Sequence, residues 1–443
     1  MNKPRRVLSL FDTVSIIVGI VIGAGIFRLP SLVASQLGGE AAILTAWAAG
    51  GLISIVGALC IAELATAYPH PGGEYHFLTR AYGRDCGFMF AWARMTVVQT
   101  GSIALLAYIF GDYAAQLLPL GPHGTSLYAV AAILFLTAVN LIGIRQTKLV
   151  QNLLFAATIL GLLCVIGGAF LTPAAPAGRA SAPAATPSGV GLAMIFILLT
   201  YGGWNEAAYV SAEVKDGPRN MVRGLLLGLG VITLFYVAVN FAYLRVLGVS
   251  GVAGSKALAS DFMRGIFGEA GVVFMSFLIL AIVLASLNVT VLTGARTNFA
   301  LGRDFPAFGF LSHWSSGGGA PVRALLVQGA IALTLVLLGA FSRRNIELVV
   351  DYLSPVFWLF FLLTAISLFV LRRREPGAER PFRVPLYPVT PALFCLTSAY
   401  LLYSSLNYTG AGALVGVGVL ILGIPFLAWA RRRPAPAETT TAA

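Results

Sequence analysis

Long apolar runs recur along the whole 443-residue chain, and they constrain its fold more than any other feature. Hydrophobic residues make up 58% of the sequence and charged residues only 10%, whereas an ordinary soluble domain is about 25% charged. A helix that crosses a bilayer needs about 20 mostly apolar residues, so this composition provides about a dozen spans and little material for a soluble domain. Residues 324–340 are apolar almost without interruption, which favours helices over the alternating strands of a membrane barrel.

The apolar runs are bounded by glycine, proline and charged residues, and we predict twelve membrane-spanning helices. Spans 1 to 12 are expected at 11–36, 41–67, 86–119, 126–144, 150–172, 189–212, 222–248, 270–296, 321–341, 346–371, 385–406 and 411–430. The predicted fold class is therefore an all-α membrane protein embedded in the lipid bilayer.

Basic residues are distributed unevenly between the two sides that these spans create. An even number of spans places both chain ends on one side, and Lys3, Arg5 and Arg6 precede the first span while a basic run opens at Arg431 after the last. The positive-inside rule then makes both ends cytoplasmic. In that orientation 22 of the 29 basic residues, Arg94 among them, belong to the cytoplasmic side and the helix ends beside it. We predict a multi-pass protein of the plasma membrane.

Several other classes of protein are disfavoured by the sequence. The net charge of +12 comes from short clusters scattered between apolar runs, which does not indicate a nucleic acid partner. No G-x-x-x-x-G-K-[ST] run is present, which disfavours an ATP-driven pump. His70 and His76 flank Glu74 without the spacing of a metal site. No nucleophile–base set is visible in the spans, so we expect neither an enzyme nor a cofactor.

Glycine pairs interrupt two of the predicted spans at mid-membrane. Gly23 and Gly25 lie in span 1, and Gly202 and Gly203 lie at a similar depth in span 6. Glycine lowers helix propensity, so both helices are expected to unwind there. The breaks occupy the first and sixth positions, which fits two repeats of five spans each. Because five crossings is an odd number, the second repeat enters from the opposite face and the breaks meet at the midplane.

This reading divides the chain into three parts. Residues 1–172 contain the first repeat, residues 173–371 contain an outer loop and the second repeat, and residues 372–443 contain two accessory spans and a disordered cytoplasmic tail.

An interrupted helix exposes backbone N–H groups on one side of the break and carbonyl groups on the other. A zwitterion fits such a pair. Backbone donors at Ala24 and Gly25 would hold an α-carboxylate, and carbonyls near Val21, Leu199 and Gly202 would hold an α-ammonium group. The alternative is that the glycine pairs only allow close packing of helices.

Four sequence motifs occur in order along the chain. They are Gly23-Ala24-Gly25-Ile26-Phe27 in span 1, Pro71-Gly72-Gly73-Glu74-Tyr75 after span 2, Tyr201-Gly202-Gly203-Trp204-Asn205 with Pro218-Arg219-Asn220 around span 6, and Arg303-Asp304 after span 8. At these residues the chain resembles the amino acid–polyamine–organocation transporter superfamily, and within it the L-type amino acid transporter branch and its bacterial relatives.

The resemblance implies a five-plus-five inverted-repeat fold that moves small neutral L-amino acids by alternating access, through exchange or ion-coupled symport. The substrate-binding residues expected on this basis are Val21, Gly23, Ala24, Gly25, Ile26, Leu199, Thr200, Gly202, Trp204 and Asn205. The branch usually carries a bulky aromatic gate just before the span 6 motif, and this chain has Leu199 and Thr200 there.

Ion coupling is the second point at which the chain departs from the branch. The branch carries a lysine in span 5, and the matching position here is Thr158. One hypothesis is that Thr158, Ser286 and the carbonyls near Gly19 and Ile22 surround water or a bound Na⁺. The alternative is that Thr158 bonds to the backbone of its own helix. A proton is the other candidate coupling ion.

Two carboxylates leave further alternatives open. Glu63 near the end of span 2 would relay protons or form a structural ion pair. Glu206 would bind a cationic substrate or cap the second half of span 6. A carrier of cationic amino acids or amines is therefore the alternative within transport, and a non-transporting nutrient receptor or a channel is the alternative from another class.

Overall fold

The computed structural model describes residues 6–173, 187–255, 257–315, 319–341, 344–409 and 412–432. Most of the predicted outer loop at 173–188 and the predicted disordered tail at 434–443 lie outside the described residues. The described part is a bundle of helices, and the all-α prediction is confirmed.

Span 1 consists of three pieces, and the other spans follow in the predicted order. Span 1 comprises the helix Leu10–Val21, the 3-10 turn Ala24–Phe27 and the helix Leu29–Gln36. The remaining spans are Glu40–Ala67 (2), Arg84–Leu117 with a wider π-helical turn at Arg94–Val98 (3), Gly124–Ile142 (4), Ile144–Gly168 (5), Pro187–Thr200 with the 3-10 helix Trp204–Glu213 (6), Gly217–Gly254 (7), Leu258–Asp304 (8), Val322–Phe341 (9), Arg344–Arg374 (10), Val389–Thr409 (11) and Gly412–Arg431 (12). A short helix, Glu74–Tyr82, joins spans 2 and 3, and the 3-10 helix Pro306–Ser312 follows span 8.

Length and composition fit a multi-pass membrane protein. Ten helices in the described ranges are long and apolar enough to cross a membrane, and the apolar helices Leu10–Val21 and Gly416–Arg431 are shorter. The first of these is half of a broken span, and the second belongs to span 12. The twelve predicted spans are thus all present as helices.

Four of the five pairs of spans that hold the same place in the two repeats pack against each other. Span 1 contacts span 6, span 2 contacts span 7, span 3 contacts span 8 and span 4 contacts span 9. This pairing is the arrangement that two inverted repeats produce around a shared axis. Spans 11 and 12 pack against span 10, as expected of accessory helices.

The first helix is fixed at its start by its own sequence. The Ser9 side chain accepts a hydrogen bond from the backbone N–H of Asp12, and the Asp12 carboxylate accepts one from the backbone N–H of Ser9. This capping box satisfies two N–H groups that the first helical turn leaves without partners. Lys148 in span 5 also pairs with Asp12 at 3.0 Å, which ties the start of span 1 to span 5.

Candidate functional site

The helix of span 1 stops where the glycine pair predicted a break. Leu10–Val21 ends because Ile22 and Gly23 adopt extended conformations, with φ −73° and ψ 91° at Ile22 and φ −112° and ψ −172° at Gly23. One 3-10 turn then covers Ala24–Phe27. A restarted helix leaves its first N–H groups without acceptors inside the helix. Span 1 therefore presents backbone donors in the middle of the bundle.

Span 6 breaks at the second glycine pair. After Thr200 the chain turns, and Gly203 has a φ of +110°, a conformation that residues with a Cβ rarely adopt. A Cβ at this position would also lie 3.3 Å from Cγ1 of Ile20 and 3.4 Å from its carbonyl oxygen. Glycine is required here both by the backbone conformation and by the proximity of span 1.

The two breaks face each other, and span 7 links them. A Cβ added to Gly25 would lie 3.4 Å from Cγ2 of Thr200. The Tyr236 hydroxyl lies 2.8 Å from the carbonyl oxygen of Val21 and 3.1 Å from that of Thr200. Tyr236 is fully buried. One donor thus serves a carbonyl from each broken helix, which sequence reasoning did not identify.

Three of the four residues predicted around a coupling ion come together. The Ser286 hydroxyl in span 8 donates to the carbonyl of Gly19 at 2.9 Å and lies 3.5 Å from the carbonyl oxygen of Ile22. Thr158 is buried in span 5, and its hydroxyl has no hydrogen-bond partner among the described residues. The alternative in which Thr158 bonds to its own helix backbone is therefore not the observed arrangement.

The predicted site residues differ in their accessibility. The buried ones are Gly19, Val21, Ile22, Ile26, Thr158, Thr200, Trp204, Asn205 and Ser286, and the partly accessible ones are Gly23, Ala24, Gly25 and Gly202. The Leu199 side chain is 53% exposed, and its carbonyl accepts a hydrogen bond from the N–H of Gly202 at 3.2 Å. Leu199 thus faces away from the meeting point of the two breaks.

Trp204 packs away from span 1. Its ring fills the space beside Gly57, where an added Cβ would lie 2.6 Å from the indole. Its ring centre also lies 5.5 Å from that of Phe361 and 5.9 Å from that of Phe394. These contacts place the indole among spans 2, 10 and 11. A cavity at the same place is lined by Gly202, Gly203, Trp204, Asn205 and side chains of those three spans.

A buried charged cluster lies next to the break in span 6. Nη2 of Arg94 is 2.6 Å from Oε2 of Glu206, and both side chains are less than one-tenth exposed. The Arg94 guanidinium also stacks over the Tyr209 ring at 4.1 Å. Oε2 of Glu74 accepts hydrogen bonds from Nδ2 of Asn205 at 3.1 Å and from the Tyr209 hydroxyl at 2.7 Å. We call these five residues the Glu74 cluster.

The position of Arg94 differs from the cytoplasmic position expected for it. Arg94 is 3% exposed and pairs with Glu206 inside the bundle. The sequence did contain a signal for this burial, since Arg94 lies inside the apolar run 86–119. Ionisable residues within membrane spans are paired and are often functional. The pairing also means that Glu206 is not an unpaired anion.

Glu63 forms ion pairs at the end of the bundle. Its carboxylate accepts hydrogen bonds from Arg372 at 2.8 Å and 2.5 Å and from the backbone N–H of Val384 at 2.6 Å. Arg380 lies 3.6 Å away. These contacts match the structural ion pair predicted for Glu63 rather than a free proton relay.

Comparison with known proteins places this architecture in a family. The family profile for amino acid permeases matches residues 8–424. The b(0,+)-type amino acid transporter 1 of Mus musculus is 31% identical over 407 residues, which are 90% of this chain and 82% of that protein. The serine/threonine exchanger SteT of Bacillus subtilis (strain 168) is 27% identical over 438 residues, 98% of this chain and 99% of SteT.

A third relative extends the same pattern. The Asc-type amino acid transporter 1 of Homo sapiens is 27% identical over 437 residues, which are 95% of this chain and 81% of that protein. The family profile spans both broken helices, and together with these relatives it confirms the resemblance drawn from the four motifs. Because the family profile covers nearly the whole chain, this protein belongs to the amino acid permease family.

Proposed function

We propose that this protein carries small neutral L-amino acids across the plasma membrane by alternating access, as an exchanger or an ion-coupled symporter. The observation that carries this proposal is the meeting of two broken helices at Gly25 and Thr200 beneath the Tyr236 hydroxyl. Backbone polar groups inside a bilayer need partners, and irregular backbone there lines binding sites. All three relatives are named as amino acid transporters or exchangers, which supports the same function.

The proposed binding mode uses backbone groups for the part that all amino acids share. The N–H groups at Ala24 and Gly25 hold the α-carboxylate, and the carbonyls of Val21, Leu199 and Gly202 surround the α-ammonium group. The carbonyls of Val21 and Leu199 already accept bonds from Tyr236 and Gly202, but each carbonyl oxygen has two lone pairs. The remaining proposed contacts are Gly23, Ile26, Thr200, Trp204 and Asn205.

Charge at the site favours neutral substrates over cationic ones. Glu206 is the carboxylate predicted to pair with a cationic amino acid or an amine, because it lies just past the break in span 6. That carboxylate already pairs with Arg94 at 2.6 Å in a buried setting. Removing one partner of a buried ion pair costs about 3–5 kcal/mol, so recruiting Glu206 for a substrate is unfavourable.

The coupling hypothesis concerns Gly19, Ile22, Thr158 and Ser286. Sodium ions in proteins need oxygen ligands: the Ser286 hydroxyl lies beside the carbonyls of Gly19 and Ile22, and Thr158 would add a second hydroxyl from span 5. The unpartnered hydroxyl of Thr158 supports a bound water or Na⁺ there. A Na⁺ gradient that fails to increase uptake at limiting or saturating amino acid would remove the Na⁺ version of this hypothesis.

Counterflow in proteoliposomes tests the proposed function. The purified protein is reconstituted, vesicles are loaded with unlabelled L-serine, L-alanine, L-lysine or no amino acid, and uptake of radiolabelled L-serine is followed. Loading with a neutral amino acid should accelerate uptake, because a carrier reorients faster with substrate bound. A receptor or a channel gives no acceleration by internal substrate.

Competition by analogues separates the substrate classes in the same assay. Methyl esters and decarboxylated amines should fail to compete, because neither presents the α-carboxylate. Strong competition by amines, or acceleration by internal lysine alone, would favour the cationic alternative.

Both chain ends are proposed to be cytoplasmic.

A further inference from the structure

The Glu74 cluster contains more buried negative charge than positive charge. Glu74, Arg94 and Glu206 are 3%, 3% and 6% exposed, so water screens none of them well. Arg94 bonds directly to Glu206, whereas the hydrogen bonds to Glu74 come from the neutral groups of Asn205 and Tyr209. Two buried carboxylates beside one guanidinium cannot both be ionised without a net charge in a low-dielectric setting. Glu74 is the carboxylate without the direct ion pair.

Each element around Glu74 contributes to its electrostatic environment. Span 3 contributes Arg84 and Arg94, and span 6 contributes Glu206 and Tyr209. Asp304 at the end of span 8 accepts a hydrogen bond from Tyr75, and Glu375 after span 10 pairs with Arg80. His70 and His76 lie beside Glu74 in sequence. The side chains of span 10 that line the cavity beside Glu74 are apolar, and they include Phe357 and Phe360.

Burial brings the pKa of Glu74 close to neutral pH. Burial raises the pKa of Glu74 to about 7, with Arg94 acting in the opposite direction. Burial lowers the pKa of His70 to about 4 and that of His76 to about 3, so both histidines stay neutral across the range in which Glu74 titrates.

Asn205 connects Glu74 to the break in span 6. Its Nδ2 donates to Glu74, while its Oδ1 is buried and has no hydrogen-bond partner among the described residues. Asn205 also borders the cavity that Gly202 and Gly203 line. A protonated Glu74 would need an acceptor for its O–H, and a half-turn of the Asn205 amide would supply Oδ1. The protonation state of Glu74 therefore decides which amide atom is free for another partner.

We propose that Glu74 is a proton-binding site and that its ionised form is the form that binds amino acid, so that substrate binding releases a proton. When Glu74 is ionised, Asn205 keeps its amide nitrogen on the carboxylate and leaves Oδ1 as an acceptor for an α-ammonium group. When Glu74 is protonated, that acceptor turns towards Glu74 and is lost to the substrate. This proposal rests on the proposed function and names the ion to which amino acid binding is linked.

The affinity for L-serine should therefore fall as the pH falls. If only the ionised form binds, the apparent Kd equals the intrinsic Kd divided by the ionised fraction. For a group that titrates near pH 7, this raises Kd by about tenfold between pH 8 and pH 6. By linkage, binding at pH 7 should release about half a proton per serine.

Binding of labelled L-serine to the purified full-length protein in detergent, with proton release followed in weak buffer, tests this. Glu74→Gln should remove both the pH dependence between pH 6 and pH 8 and the released proton, because the amide cannot titrate. The matched control is Glu375→Gln, a carboxylate at the same end of the bundle that pairs with Arg80 at 2.7 Å outside the cluster. The control should keep both signals. Wild-type binding that is independent of pH, or Glu74→Gln binding that keeps the wild-type pH dependence, would overturn the proposal.

A second variant keeps the test informative if Glu74→Gln does not fold. Glu206→Gln removes the competing carboxylate and leaves Arg94 to pair with Glu74. The midpoint of the pH dependence should then move to lower pH, and an unchanged midpoint would contradict the proposal. Counterflow measured alongside separates the two levels: absent counterflow rejects the transport function, whereas counterflow with pH-independent serine affinity rejects only the role of Glu74.

Discussion

At the scale of single residues, the Tyr236 hydroxyl is the group that holds the two breaks together. Its loss in Tyr236→Phe leaves the carbonyls of Val21 and Thr200 without this donor. A buried polar group that loses its partner costs about 1–3 kcal/mol. We expect the Kd for L-serine to rise by about tenfold or more, because the geometry of both breaks relaxes. Binding of the labelled ligand in detergent measures this change.

Span 7 also offers a matched control for that change. Tyr243 is fully buried in the same helix, and its hydroxyl has no hydrogen-bond partner in the part of the chain that the structure describes. Tyr243→Phe should therefore keep the wild-type Kd. Equal affinities for Tyr236→Phe and the wild type would show that the bridging hydroxyl does not shape the site.

The residues of the candidate site differ in how well the sequence identified them. Gly25 and Gly203 were predictable, because a glycine pair inside an apolar run has a local physical meaning. The partnership of Arg94 with Glu206 was not, because the two residues lie 112 positions apart and only the packing of spans 3 and 6 joins them. Tyr236 likewise resembles an ordinary core aromatic until the carbonyls beside it are known.

At the scale of single elements, the break in span 6 depends on Gly203. Gly203→Ala would place a Cβ on a backbone with φ of +110° and 3.4 Å from the carbonyl oxygen of Ile20. Such strain costs about 1–3 kcal/mol. We expect a lower unfolding temperature in detergent and weaker serine binding.

The control for this change is Gly230→Ala in span 7, where no heavy atom lies within 4 Å of the added Cβ. Alanine favours a helix interior over glycine, so the control should be neutral or stabilising. A Gly203→Ala protein as stable as the control would mean that the turn tolerates a side chain.

The limits of spans 7 and 8 were predictable, whereas the short helical segments that flank them were not. Span 7 continues to Gly254 and span 8 starts at Leu258, although the apolar runs predicted 222–248 and 270–296. The extra turns lie beyond kinks at Gly248 and Gly268, which have φ of 66° and 62°. The helical path therefore breaks at Gly248 and Gly268, within two residues of the predicted limits 248 and 270, and the apolar runs missed only the short helical segments beyond these kinks.

At the scale of the whole molecule, the N-terminal segment and the end of span 12 lie at the same end of the bundle. Lys215 donates its backbone N–H to the carbonyl of Leu8 at 2.8 Å, which brings the start of the chain to the segment after span 6. Arg431 at the end of span 12 pairs with Asp85 at the start of span 3. The even number of predicted spans already implied that both chain ends lie at the same end of the bundle, because that result depends only on the number of crossings.

The orientation of that end in the membrane is the last prediction. The excess of basic residues predicts that this end is cytoplasmic, because positively charged loops stay on the cytoplasmic side. In a variant whose four native cysteines are replaced by alanine, Lys215→Cys should react with a membrane-impermeant thiol reagent in inside-out vesicles. His123→Cys, in the exposed loop between spans 3 and 4, should react in right-side-out vesicles instead. Each variant is the control for the other, and the opposite labelling pattern would reverse the topology. It would also exchange the faces from which substrate reaches the two breaks. The inverted repeats make the bundle alike from both sides of the membrane, but the Glu74 cluster lies on only one of those sides.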